Sequence, residues 1–564
     1  MSNKHSTHSK KNTDYDVVVI GAGLLGCFTA RALSKYKLRM CVLEAKEDVC
    51  TGVSKANSSI VYAGYDMKPN TMKACMTVRA NENFELLCNE LGVKFSRCGS
   101  LMVAFGPNGC KNLQDKYEQG VTNDVCGLRL LCGSEAREIE PALSNNVQAA
   151  LFSPSVGTVM PWDLCIAAAE NAAANGVEFY FGAKVVAIHN VGESYNLETE
   201  NGNAFSAKAV VNCAGICADK IANLAGFTRV HIALSKAEYV VYDSVSSRKL
   251  KHVIFHEPEG KGKGITAVPC IDGHVIVEGP KEDAEDGNYY SVTRTGLRKI
   301  FDDVENVLPQ LADASVIASF AGARPNPRIA EKDASGRHKS INDFCIEYNH
   351  EKPNFVSFVG VKTPGLTCAN ELGTYGASLV VAYLNGAGGA GGAGGVGSAC
   401  DDSDACDAGL DSGTGGVCEN KEFSPTKRAP LRPRPAKMCN QETCSQNVHN
   451  KDACSQDAHN KETCNQRSGN IVCTCEGVYE EEIVHAIAMG ARTIDGVKQR
   501  TGAHMGNCQG SGCEIKIAHI LARELNIPLH EVRKNGESSY LFSSGASDFT
   551  LDYSRNSLRS EEAK

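Results

Sequence analysis

The sequence predicts an α/β protein with a doubly wound, dinucleotide-binding domain assembled from distant segments. A β-rich second domain is laid over it, and a small helical domain lies toward the C-terminal end. Three observations predict this. The chain opens with a strand, a glycine-rich turn, a helix and a second strand that ends in an acidic residue. A strand-then-glycine pattern returns far along the chain, before Gly215 and before Gly360, with a further strand at Val185. After Leu384 the composition turns abruptly to glycine, and helical periodicity resumes only beyond Ile471.

Bulk properties set the frame. A chain of 564 residues suits two or three domains. With 42% apolar and 22% charged residues it has an ordinary globular balance. A net charge of −8 supplies no global basic field, so nucleic acid is not an expected partner. No run approaches the roughly 18–20 apolar residues that cross a bilayer, so no transmembrane segment is expected. The stretch MSNKHSTHSKKNTDYD is polar and basic without an apolar core, and residues 1–13 read as a tail rather than a secretory signal. The 26 cysteines are the anomaly. Without a secretory signal a disulfide framework is not expected, and many cysteines, such as Cys41 in LRMCVLEA and Cys213 in VVNCAGI, sit in apolar patterns as small buried hydrophobes. A cytoplasmic chain is expected, meeting a membrane only through a partner.

The first element is the buried strand Val17 to Ile20 in DYDVVVIGAGLLGCFTARALSKYKLRMCVLEAKE. Gly21-x-Gly23-x-x-Gly26 follows, then a helix from Leu24 to Tyr36, then a strand from Met40 to Leu43 closed by Glu44. In this context the glycines carry chemistry. Gly21 permits the tight turn, Gly23 lets backbone approach a pyrophosphate, and Gly26 lets helix and strand pack closely. The helix N-terminus offers N–H groups and a positive dipole end to phosphates, and Glu44 can accept from ribose hydroxyls.

Domain signals continue to residue 385. The strand from Val185 to Ile188, VVNCAGICADKIANLAG and FVSFVGVKTPGLTCANELG share one expected sheet. Residues of about 90–150 and 225–330 alternate in the manner of strands, as in AEYVVYD and HVIVEGP, and form the expected second domain. Residues 386–470 read as a linker: a glycine-rich run, then the basic, proline-rich FSPTKRAPLRPRPAK, then a ten-residue repeat carrying Cys444, Cys454 and Cys464 with His449 and His459. That spacing does not suit common zinc sites and reads as low-complexity expansion. Residues 471–535 are globular, with EEEIVHAIAMGA and EIKIAHILARELNIP as helices, and residues 536–564 form a tail. Within this last domain Cys473-x-Cys475 is followed, 32 residues later, by Cys508-x₄-Cys513. Four thiolates so placed suit zinc or an iron–sulfur cluster, and spacing alone does not choose.

The segment after Glu44, TGVSKANSSIVYAGYDMKPN, resembles the FAD-dependent amino-acid and hydroxy-acid oxidoreductases related to D-amino-acid oxidase. Asn57 and Ser58, with Ser54 in the same loop, match the polar loop that holds the flavin in that superfamily. The resemblance continues through GLRLLCGSEAREIEPALS, GTVMPWDLCIAAAENAAANGVEF, VVNCAGICADKIA, FAGARPNP and VKTPGLT, covering most of residues 14–385. It implies a Rossmann-like FAD-binding domain with discontinuous segments plus a β-rich substrate domain. It places Gly21, Gly23, Gly26 and Glu44 on the ADP half of FAD, Val185 on the adenine side through its backbone, and Gly215 beside the cofactor. Thr363, Pro364, Gly365, Leu366 and Thr367 are implied to set a helix N-terminus at the flavin and pyrophosphate. Arg324 matches the arginine that holds an anionic substrate group, a task suited to its planar fork.

Within the superfamily the sequence is most similar to anaerobic-type glycerol-3-phosphate dehydrogenases and their L-2-hydroxyglutarate-oxidising relatives. The implied reaction is hydride transfer from a secondary alcohol carbon to the flavin, a base taking the hydroxyl proton. Tyr62 stands where many relatives have the histidine of His-Ala-Gly, and Thr266 stands where the hydroxyglutarate group has a histidine. His256 is the nearest alternative base along the sequence. Lys281 is either a second cation for a phosphate or a solvated residue. VCTCEGVYEEEIVHAI and VKQRTGAHMGNCQGSGC resemble the 2Fe–2S domain of bacterioferritin-associated ferredoxin, which implies Cys473, Cys475, Cys508 and Cys513 as cluster ligands. The expected arrangement runs from a small anionic hydroxy substrate to FAD, to the cluster, to an acceptor flavoprotein or quinone-linked subunit. A zinc-stabilised docking module is the alternative for the last domain.

Overall fold

Val17, Val18 and Val19 are fully buried because the strand that carries them, Thr13–Ile20, lies inside a sheet covered on both faces. The computed structural model describes residues 13–245, 250–257, 264–281, 289–348, 353–386, 417–431 and 470–543. The chain divides into two units, Met1–Lys461 and Glu462–Lys564.

In the first unit Thr13–Ile20 pairs in parallel with Met40–Leu43 on one side and Ala204–Asn212 on the other. Glu178–Tyr180 and Phe355–Val359 extend this eight-stranded sheet in parallel. Val185–Val191 joins it antiparallel to Ser194–Thr199, because Gly192, at φ +64°, opens a two-residue reversal that sends the chain straight back. The helices Leu24–Leu33, Pro161–Ala174 and Ala369–Leu384 cover one face with Phe28, Leu33, Leu164 and Leu372. The other face is closed by Ile221, Phe227 and the antiparallel edge.

A second, nine-stranded sheet takes strands from residues 100–153 and 230–340. Its spine is the long pair Val230–Tyr242 and Val316–Lys332, antiparallel over their length. Next to the first come Val275–Glu278, Thr266–Pro269 and Val253–His256 in order. The amphipathic helix Arg294–Val307 seals one face through Ile300, Val304 and Val307.

Residues 417–431, read from the sequence as linker, are packed on the first unit. Asn420 N–H donates to the Lys35 carbonyl (2.6 Å), and Lys37 N–H donates to the Cys418 carbonyl (2.9 Å). Asn171, fully buried, directs its amide nitrogen at the carbonyls of Ser424 (2.9 Å), Pro425 (3.0 Å) and Lys427 (2.7 Å). Its oxygen accepts from Arg31 Nε (3.0 Å). Arg428 pairs with the buried Glu170 at 2.6 Å, and Leu431 enters the core. Proline-rich composition gave no sign of this, because the segment is held by carbonyls that any residue supplies. The decapeptide repeats lie outside the described residues.

The second unit packs a short hairpin, Ile471–Cys473 with Val478–Tyr479, against the helices Glu480–Ala488, Ile494–Thr501 and Glu514–Leu525. Ile483, Ile487, Val497, Ile517 and Leu521 form its core. Packing runs past residue 535: Ile494 and Asp495 donate to the Arg533 and Lys534 carbonyls (3.1 and 2.9 Å), and Leu541 and Phe542 close on the core. Among the described residues no helix is long and apolar enough to cross a membrane.

Asn171→Leu removes these bonds and leaves buried carbonyls without a donor, a loss of about 1–3 kcal/mol. Limited proteolysis is expected to cut within residues 417–431 markedly faster in this variant. Equal cutting in both proteins contradicts the docked arrangement.

Candidate functional site

The glycine-rich turn is bare because nothing larger fits. Gly21 has φ +100°, and a Cβ there would lie 2.6 Å from the Cys213 carbonyl oxygen. A Cβ on Gly26 would lie 1.9 Å from the Gly21 oxygen, so the helix Leu24–Leu33 reaches the turn only through glycine. Gly23 leaves the helix start without a side-chain cap, and Ser54 supplies one from a distant loop, its Oγ accepting from Leu24 N–H at 2.9 Å. Asn57 shapes that loop, donating to the Ser54 carbonyl (2.8 Å) and accepting from Ser59 N–H (2.9 Å). Ser58 is buried beside them.

Glu44 accepts from Ala22 N–H at 2.6 Å and from Lys46 N–H at 2.8 Å. Burial pushes its carboxyl up, and the two backbone donors work against that shift. Each carboxylate oxygen keeps a second lone pair for a ribose hydroxyl. Val185 is brought alongside because Ala183 N–H donates to the Glu44 carbonyl (2.8 Å). Gly215, at φ +60°, opens the turn Gly215–Cys217 two residues beyond Cys213. A side-chain-free turn, a helix N-terminus and a buried carboxylate fit the ADP half of FAD.

The loop before the helix Ala369–Leu384 ties this cradle to the second sheet. Arg324 Nη1 donates to Thr363 Oγ1 at 3.0 Å, and Tyr62 N–H donates to Thr367 Oγ1 at 3.0 Å. Thr363–Pro364 is a cis peptide, and Gly365 N–H turns back onto the Lys362 carbonyl at 2.6 Å. Leu366 packs on the core of the nucleotide sheet.

Residues directly opposite on paired strands share a face. The register therefore sets Phe255, Thr266, Glu278, Tyr239 and Phe320 in one cross-strand row. Arg324, four residues beyond Phe320 on the same strand, shares that face. Tyr239 stacks on Phe320 at 4.5 Å, and the Tyr62 ring meets Phe255 at 6.0 Å. Burial raises the Tyr62 phenol, and Glu278 and Asp66 raise it further while Arg324 and Ser58 act in the opposite direction. Asn326 donates to Ser235 Oγ (3.0 Å) and accepts from Lys362 Nζ (3.0 Å). Tyr62 and Tyr239 both feel Glu278 and Arg324, so these side chains meet over one face of the sheet. Tyr239 and Glu278 were missed because only strand register aligns residues so far apart in the chain.

His256 is not in this row. Strand alternation turns it away from its neighbour Phe255, to meet Phe105 edge-on at 5.3 Å. Its Nδ1 is buried with no partner among the described residues, and burial lowers its pKa.

In the second unit the four cysteines stand as two thiol pairs. Cys473 and Cys513 are both buried and in hydrogen-bond contact. Cys475, exposed, and Cys508, half-buried, form the other pair. Backbone N–H of Gly512, with the Cys475 side chain next, brings the Cys508 thiol down to about 7. Burial pushes Cys513 up to about 12. Among the described residues no three His, Cys, Asp or Glu side chains gather closely enough for one metal ion. Two facing thiol pairs fit the four-thiolate donor set of a two-iron cluster.

Comparison with known proteins agrees in order and extent. The family described as FAD dependent oxidoreductase (DAO) matches residues 16–379, and the BFD-like [2Fe-2S] binding domain matches residues 471–523. A glycerol 3-phosphate dehydrogenase of Caloramator mitchellensis is 34% identical over 530 residues, spanning 93% of this chain and 98% of its own. A glycerol 3-phosphate oxidase of Mycoplasma pneumoniae is 28% identical over 370 residues, 63% of this chain and 91% of its own. The FAD-bound structure of L-alpha-glycerophosphate oxidase from that organism superposes with a TM-score of 0.61 at 23% identity, over 74% of this chain and 99% of the other, and speaks for the fold alone.

In metal-free protein, Cys508 is expected to alkylate with a midpoint near pH 7, since the thiolate is the nucleophile and forms as pH rises through that value. Cys513 is expected to stay unmodified over the same range. Peptide mapping after a short iodoacetamide pulse at pH 6, 7 and 8 decides this; equal labelling of both contradicts the assignment.

Proposed function

The chain belongs to the DAO family of FAD-dependent oxidoreductases, and from that premise we propose that it oxidises sn-glycerol 3-phosphate to dihydroxyacetone phosphate. The observation that carries this reading is whole-length likeness to a glycerol 3-phosphate dehydrogenase, covering both domains in the same order. FAD, when bound, supplies the acceptor for the hydride of the secondary alcohol carbon.

The protein's own contribution is binding, orientation and proton movement. Arg324 presents its guanidinium to the phosphate while one nitrogen stays on Thr363, so the anion is held at a fixed distance from the flavin loop. Tyr62, Tyr239, Phe255 and Phe320 wall the chamber and exclude water from the alcohol. Tyr62 remains protonated at neutral pH and donates toward the substrate, in place of the histidine of relatives. Cys473, Cys475, Cys508 and Cys513 hold the cluster that relays electrons to a partner acceptor. L-2-Hydroxyglutarate is the competing substrate, and its relatives cover less of this chain.

An absorption spectrum of anaerobically purified protein tests this. Flavin and iron–sulfur bands are expected, with flavin bleaching on glycerol 3-phosphate and not on L-2-hydroxyglutarate; zinc without iron or sulfide removes the relay. Arg324→Ala is expected to keep FAD and lose about 10- to 150-fold in kcat/KM, the worth of a charged hydrogen bond of about 1.5–3 kcal/mol. Loss of FAD in that variant would make the arginine structural.

A further inference from the structure

We propose that Glu278 is the catalytic base, its carboxylate taking the hydroxyl proton of the substrate as the hydride leaves the same carbon. The proposal rests on the glycerol 3-phosphate reading above and adds the residue that the sequence did not identify. In the step, the O–H bond breaks and its proton goes to a Glu278 oxygen. With FAD bound, the flavin would take the C–H electron pair as hydride, and the carbon–oxygen bond would become a carbonyl. The Glu278 proton is then released to water.

Three features of the chamber assign the role. Glu278 is nine-tenths buried on the strand Val275–Glu278, in the cross-strand row between Thr266 and Tyr239. No described residue makes a hydrogen bond or ion pair to its carboxylate, so its acceptor capacity is turned to the chamber. Directly opposed strand positions are about 5 Å apart, which puts Glu278 one strand from the strand that pairs with Arg324's. A dianionic phosphate is repelled by Glu278 and drawn to Arg324, so charge alone orients the substrate with its hydroxyl end toward the carboxylate.

The other candidates fail on placement or on protonation state. His256 faces the opposite side of the sheet, against Phe105. Tyr62 carries a phenol held protonated by burial. Asp66, the other carboxylate felt by Tyr62, sits in the turn after Gly64, acts on Tyr65 as well, and lies outside the row. Tyr62 and Tyr239 face Glu278, and Arg324 acts on the same two phenols. Both phenols are pushed up by burial, away from the acid side of neutrality.

The experiment is stopped-flow flavin bleaching by glycerol 3-phosphate under anaerobic conditions, across pH, with the FAD-loaded full chain. The wild type is expected to slow as pH falls, because a protonated carboxyl accepts no proton. Glu278→Gln is expected to retain FAD, to bind substrate with a saturation constant within about threefold of wild type, and to bleach about 10²–10⁴-fold more slowly with the acid limb gone. Bleaching of this variant within about threefold of wild type overturns the proposal. Glu278→Asp guards against a folding defect: it keeps the acid one methylene short, and slow bleaching with the acid limb preserved is expected, whereas a pH-independent rate overturns the role. Failure of the substrate reading is seen separately, as wild-type flavin that glycerol 3-phosphate does not bleach.

Discussion

The helix Leu24–Leu33 meets the turn before it at backbone distance, with no Cβ on Gly21 or Gly26 to hold them apart. That approach sets the position of everything else in the first unit. It seats the strand Thr13–Ile20 against Cys213 and the strand Ala204–Asn212, and it opens the helix N-terminus to a phosphate. The same helix packs on Ala369–Leu384, whose leading loop carries Thr363 and Thr367 to Arg324 and Tyr62. At its far end Arg31 holds Asn171, and Asn171 holds residues 424–427. One close contact therefore connects the glycine-rich turn, the loop that meets Arg324 and Tyr62, and the docked segment.

The chamber shows how a sheet separates roles by alternation. On one face stand Arg324, Glu278 and the aromatic walls; on the other, His256 meets Phe105 near the apolar core that the helix Arg294–Val307 closes. A single step along the strand moves a side chain from one face of the sheet to the other. Charge is also divided within the chamber. Arg324 and Glu278 act with opposite sign on the same two phenols, Tyr62 and Tyr239.

Cysteine serves two regimes in one chain. Cys27, Cys41, Cys50 and Cys165 are buried among apolar side chains, where desolvation raises their thiols and keeps them inert. Cys508 is the opposite case, with backbone N–H groups of its glycine-rich loop favouring the thiolate. The difference is made by what the loop offers the sulfur, since the residue type is the same.

The amino-acid sequence by itself determined the features whose parts lie within a few tens of residues. The turn Gly21 to Gly26, the strand that ends at Glu44, and Cys473-x-Cys475 answered by Cys508-x₄-Cys513 are local patterns with local physical causes. The helix start at Leu24 and the strand Met40–Leu43 fall where periodicity put them. Other features needed the tertiary structure. The row from Phe255 to Phe320 depends on strand register across more than sixty positions of chain, and no local preference encodes register. The same absence hides from the sequence which face of the sheet His256 takes. The docking of residues 417–431 is likewise decided by buried donors on a distant helix, meeting carbonyls that composition cannot distinguish.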